Sequence, residues 1–128
     1  MNALFEEVCR RFPEVTPQLS DEHREEPYNV MHEIVTWLRS LEESQVTPKL
    51  VKRLREFWDW CELHPRGETA GDDVYTIFVV GFYEGLFAEA VTRRLIPELV
   101  PKDYLMQNAE YLKTWVGNQN YQLALEQY

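Results

Sequence analysis

The sequence predicts an all-α fold: a single-domain bundle of about five helices around a central apolar helix at Asp72 to Arg94. Three observations lead there. Apolar residues recur at three- and four-residue spacing in several segments, which places them on one face of a helix. Proline and glycine clusters separate those segments. The longest apolar stretch starts at Asp72-Asp73 and ends at Arg93-Arg94, charges that complement a helix dipole. With 128 residues and 45% hydrophobic composition, the chain is one domain, residues 1–128, large enough for a real core.

In chain order, Leu4, Phe5, Val8, Cys9 and Phe12 share a face of a first short helix, and Pro13 ends it. Pro13 to Pro27 reads as an acidic loop in which Ser20-Asp21-Glu22-His23 could cap a turn. Its Asp21, Glu22 and His23 are adjacent rather than spaced to converge on a metal. Tyr28 to Ser44 reads as an amphipathic helix with Val30, Met31, Ile34, Val35, Trp37, Leu38 and Leu41 inward. Thr47-Pro48 is an N-cap followed by proline at the first helical position, and that helix runs to about His64. Leu50, Val51, Leu54, Phe57, Trp58 and Cys61 form its buried stripe. Trp60 falls off the stripe, beside Arg53, either covered by another element or exposed as an aromatic anchor. A loop from His64 to Gly71 follows; Gly67 and Gly71 fit no phosphate-loop pattern.

Val74 to Val80 has strand composition, rich in β-branched and aromatic residues. The apolar character runs well past strand length, and the flanking charges favour one buried helix. Gly81 and Gly85 share a face and would let another helix approach closely. The uncharged run between Asp73 and Glu84 is ten residues, short of the ~20 a membrane span requires, so the close packing reads as that of a soluble protein. Glu84 lies on the wheel between Ile77, Val80 and Val91, and Glu89 between Phe78 and Phe82. A carboxylate on an apolar face must be paired, hydrogen-bonded or protonated. Glu84 is thus either structural or, with Tyr75 or Tyr83, part of an inter-helix pocket. Leu95 to Pro101 makes a turn, Lys102 to Val116 a last long helix, and Gly117-Asn118 stops it before a short final helical turn.

A net charge of −9 and a pI near 4.8 argue against nucleic acid and anionic membrane as partners and permit a cationic protein. Cys9 and Cys61 read as free thiols in a reducing, cytoplasmic setting. The stretch from Met1 to Glu7 lacks the basic-then-apolar pattern of a signal peptide. No Glu-x-x-His, His-Glu-x-x-His, Cys-x-x-Cys or Gly-x-Ser-x-Gly motif occurs, so no metal, cofactor or catalytic residue is assigned. Cys61 and His64 share a helix turn, but a catalytic dyad needs an exposed thiol and Cys61 points to the core.

The order of an aliphatic helix ending Trp37-Leu38, a helix ending Phe57-Trp58-Asp59-Trp60-Cys61, and an Asp-capped helix carrying Val80-Gly81-Phe82-Tyr83-Glu84-Gly85-Leu86 resembles a family of small all-helical bacterial proteins of uncharacterised function. The match spans Val30 to Leu86. The resemblance implies an all-helical fold and a cytoplasmic bacterial setting and carries no catalytic residues; some proteins of this type look like toxin-immunity partners. Two functional expectations follow. One is an acidic interaction module that meets a cationic protein through Asp21, Glu22, Glu25 and Glu26, with Trp60 as an anchor. The other is a small-molecule binder or enzyme with a pocket around Glu84, Tyr75 and Tyr83. A closed core around Glu84 favours the first and an open aromatic pocket the second. A homodimer is compatible with either.

Overall fold

The computed structural model describes residues 2–128; Met1, at the head of the stretch read against a signal peptide, lies outside them. The fold is all-α, and no strand forms among the described residues, so Val74 to Val80 is helical. The helices are more numerous and shorter than five. They are α1 (Asn2–Arg11), α2 (Pro27–Arg39), α3 (Pro48–Leu63), α4 (Val74–Phe87), α5 (Ala90–Arg93), α6 (Ile96–Leu99), α7 (Lys102–Gln107), α8 (Ala109–Val116) and α9 (Asn118–Leu125). Single 3₁₀ turns occupy Thr16–Gln18, Asp21–Glu25 and Glu43–Gln45.

Local signals explain most boundaries. The Thr47 hydroxyl accepts from Leu50 N–H at 3.2 Å and starts α3, as its sequence implies. α2 stops at Arg39 rather than Ser44, because the Ser40 hydroxyl donates to the Trp37 carbonyl at 2.6 Å and competes for the last turn. The expected last long helix divides at Asn108, whose side chain donates to the Tyr104 carbonyl at 2.8 Å. Gly117, at φ 92°, takes the backbone conformation that a side chain resists, and α9 begins directly after it.

The single helix expected over Asp72 to Arg94 does not form. α4 starts on Asp73, whose carboxylate accepts from Thr76 N–H (3.1 Å), the Thr76 hydroxyl (2.6 Å), Gly67 N–H (2.8 Å) and Arg66 Nε (3.0 Å). It then passes from α geometry (Val74–Ile77) through a π turn (Phe78–Tyr83) into a 3₁₀ end (Glu84–Phe87). At Glu89 the backbone is extended, and the chain leaves at 110° into α5. Two side chains beyond the break hold it. The buried Thr92 hydroxyl donates to the Leu86 carbonyl at 2.8 Å, and Arg93 donates to the Phe87 carbonyl at 2.8 Å. The orphan carbonyls of a helix end thereby find partners. No single helix among the described residues is long and apolar enough to cross a membrane.

Aromatic rings connect α1, α3 and α4 through the core. Phe12 meets Phe57 edge-on at 5.3 Å, Phe57 meets Phe78 at 5.6 Å, and Trp58 meets Phe78 and Tyr83 at 5.0 Å each. α2 lies against α4 where the latter carries glycine. A Cβ placed on Gly81 would stand 2.8 Å from the Met31 Cβ, and one on Gly85 would stand 3.3 Å from a Val35 methyl. Met31 and Val35 are one turn apart on α2, as Gly81 and Gly85 are on α4, so two adjacent ridges sit in two adjacent gaps. At the surface of the α1–α3 layer, Glu7 is 8% exposed and bound by Arg10 and Arg11, and Arg53 forks onto Glu14 at 2.6 and 2.8 Å.

Three outcomes follow. Gly81→Ala gains about 0.5–1 kcal/mol of helix propensity but costs about 1–3 kcal/mol of overpacking, for a net loss near 1 kcal/mol or more in urea denaturation. Gly85→Ala, facing a contact a few tenths of an ångström tight, stays within about 0.5 kcal/mol. The Thr76 hydroxyl and then the Gly67 N–H hold the Asp73 pKa down to about 2. A depressed carboxyl adds stability above its unfolded pKa, and that stability is lost as pH falls from about 3.8 to about 2. Asp73→Ala costs about 1 kcal/mol at neutral pH and removes this part of the acid limb from stability measured against pH.

Candidate functional site

The acidic edge is built by the turn Asp21–Glu25 and the start of α2. Ser20 and His23 close the turn reciprocally, with Ser20 N–H donating to His23 Nδ1 at 3.0 Å. Proline at the first position of α2 fixes the chain direction immediately after Glu26. The result exposes Asp21, Glu22, Glu25 and Glu26. Asp21 reaches Arg24 at 3.5 Å, and Glu26 accepts from the Asn29 side chain. Among the described residues, Glu22 and Glu25 have no partner. Beside them, Glu25, Glu26, Tyr28, Asn29 and Gly71 line an open cleft of about 290 Å³. The Tyr28 hydroxyl donates to the Ala70 carbonyl at 3.0 Å, which ties the 64–71 loop to this edge.

Trp60, expected as either covered or an anchor, is half-buried, and its ring faces His64 at 4.8 Å. Cys61 is fully buried, and burial pushes its thiol pKa up, which removes it as a nucleophile.

The three residues of the expected pocket take different environments. Tyr83 is 2% exposed and packed between Trp58, Phe87 and Tyr104; burial raises its pKa, and its hydroxyl has no partner among the described residues. Tyr75 is half-buried, stacked near Phe78, with Arg66 over its ring at 5.8 Å. Glu84 turns instead to α8, where it accepts from the Tyr111 hydroxyl at 2.5 Å. The wheel placed it against Val91. The π turn before it resets the register, and the break after it removes Val91 from the same helix. Burial raises the Glu84 pKa, and the Tyr111 bond lowers it in part. In return, burial first and the Glu84 bond second push Tyr111 up to about 12.

Sequence reasoning passed over two features. The apolar pattern of Lys102 to Val116, read as one helix, puts Tyr111 and Trp115 on its inward side, yet Tyr111 is 41% and Trp115 66% exposed. The division at Asn108 re-aims α8, and only the uninterrupted apolar pattern was visible. An open cleft of about 420 Å³ lies between α3 and the segment after α6, lined by Trp58, Asp59, Glu62, Val100 and Tyr104. It is formed by residues some forty positions apart. Among the described residues no group of three or more His, Cys, Asp or Glu is arranged to hold a metal ion.

Because burial raises the Glu84 pKa, its neutral form is the one folding favours. That contribution is complete below the unfolded pKa and lost as pH rises through the folded one. Glu84→Gln keeps an acceptor for Tyr111 and raises the melting temperature at pH 7, and the difference from wild type closes as pH falls toward 4.5. Compared with family models, curated proteins and solved structures, the chain matches none, and the resemblance over Val30 to Leu86 rests on its residues alone.

Proposed function

We propose that the chain is an acidic interaction module that binds a cationic protein at the edge formed by Asp21, Glu22, Glu25 and Glu26. One observation carries this reading. All nine arginines are engaged within the chain, six with carboxylates and Arg39, Arg55 and Arg93 with backbone carbonyls. The carboxylate excess is therefore left facing outward, and at this edge four exposed carboxylates stand within six residues, of which Glu22 and Glu25 have no partner among the described residues. Opposite charge there steers a basic partner and raises its association rate, in a salt-sensitive way. The closed surroundings of Tyr83 and the Tyr111-bound Glu84 favour this reading over a small-molecule pocket around Glu84. An immunity-type binder of a cationic toxin, in a cytoplasmic setting, is the specific form that the resemblance implies. We also read α4 as the central apolar helix of one domain, the scaffold on which this edge stands.

The test uses the immobilised chain against lysate of its native host at low and high salt, with the variant Asp21→Asn/Glu22→Gln/Glu25→Gln/Glu26→Gln beside it. The expected result is a single basic protein retained by wild type at low salt, weakened by high salt and by the variant. Equal retention by the variant overturns the assignment of the edge.

A further inference from the structure

Glu84 differs from the other inward carboxylates of the chain. The buried Glu7 and Asp73 each hold an arginine. Glu84, half-buried, forms no ion pair among the described residues, and its hydrogen-bond partner is the neutral hydroxyl of Tyr111. A carboxylate drawn partly from water without a counter-charge is a cost that an arriving cation would offset. No arginine of the chain competes for it, since each is engaged elsewhere.

The surroundings suit one kind of cation. Tyr111 and Trp115 stand one turn apart on α8, both exposed, with ring centroids 6.4 Å apart. Exposed aromatic faces attract cations, and a planar guanidinium both stacks on them and binds a carboxylate through two donors. An ammonium group lacks that plane and fork. The position is also continuous with the acidic edge. Tyr28, which lines the cleft beside Glu25 and Glu26, lies against α4 at Gly81, its ring 3.5 Å from where a Cβ would stand. Burial, then the charges of Asp73 and Glu84, push the Tyr28 pKa up, so Glu84 is within electrostatic reach of the Tyr28 hydroxyl.

We propose that Glu84, Tyr111 and Trp115 form a notch that seats an arginine side chain of the cationic partner, extending the acidic edge at residues 21–26 into one docking strip. This inference rests on the interaction-module reading and adds to it the side chain recognised and the place that recognises it. Tyr111 orients the carboxylate, and Trp115 supplies the open stacking face. The exposed aromatic pair has the residue types that dominate binding energy at protein interfaces.

The experiment titrates the protein with nona-arginine and nona-lysine at low ionic strength, following the Trp115 indole N–H by ¹⁵N NMR and affinity by calorimetry. Nona-arginine is expected to shift the Trp115 indole signal and to bind more tightly than nona-lysine. Glu84→Gln and Trp115→Ala each weaken nona-arginine by about three- to tenfold. Both positions leave the fold intact, as the first change is isosteric and Trp115 is exposed. The quadruple edge variant weakens both peptides and flattens the salt dependence. If nona-arginine binds while the Trp115 signal stays still and Trp115→Ala binds equally well, the notch is overturned and the acidic edge stands. If neither peptide binds the wild-type chain, both readings fall.

Discussion

The contact of Gly81 and Gly85 with Met31 and Val35 is the constraint on which the rest of this structure depends. It brings the backbone of α4 to the side chains of α2 with no space for even a methyl group at Gly81. Tight approach at that seam leaves the opposite face of α4 to the aromatic rings of α3, where Phe57 and Trp58 meet Phe78, Phe82 and Tyr83. Interiors pack at crystal-like density, so a fixed seam on one side of a helix sets the depth available on the other. The aromatic core and the glycine seam are two sides of one packing arrangement.

The same helix pays for its position with its regularity. A π turn spans Phe78–Tyr83, and the helix ends at Phe87 rather than continuing to Arg94. Thr92 and Arg93 return to take up its last carbonyls, and the chain departs at 110°. The arginine that complements the helix end does so across a bend. The π turn and the bend together turn Glu84 toward α8, where Tyr111 meets it. A local irregularity in the backbone thus determines which chemistry Glu84 can take part in.

Charge is distributed by the same logic. Arginines hold Glu7 and Asp73 where carboxylates approach the core, and others hold carbonyls at helix ends and loops. Each arginine is engaged within the fold, and the carboxylates left without one include Glu22 and Glu25 on the exposed edge and, half-buried, Glu84. The proposed docking strip is the outward remainder of that internal pairing. The net charge of −9 alone does not say which carboxylates an arginine holds.

The sequence by itself determined the all-α class, the inward faces of α1, α2 and α3, the Thr47 cap, the stop at Gly117 and the close approach at Gly81 and Gly85. These rest on periodicity, capping chemistry and the absence of a side chain, which act within a few residues of one another. The tertiary structure decided the break at Glu89, the division at Asn108, the exposure of Tyr111 and Trp115, and the partner of Glu84. Ala88-Glu89-Ala90 is good helix-forming sequence, and what ends the helix there is a pair of hydrogen bonds from Thr92 and Arg93 to carbonyls six residues back across a bend. Tyr111 meets Glu84 from 27 residues away. Such partners are chosen by packing between elements, and no pattern within either segment encodes them.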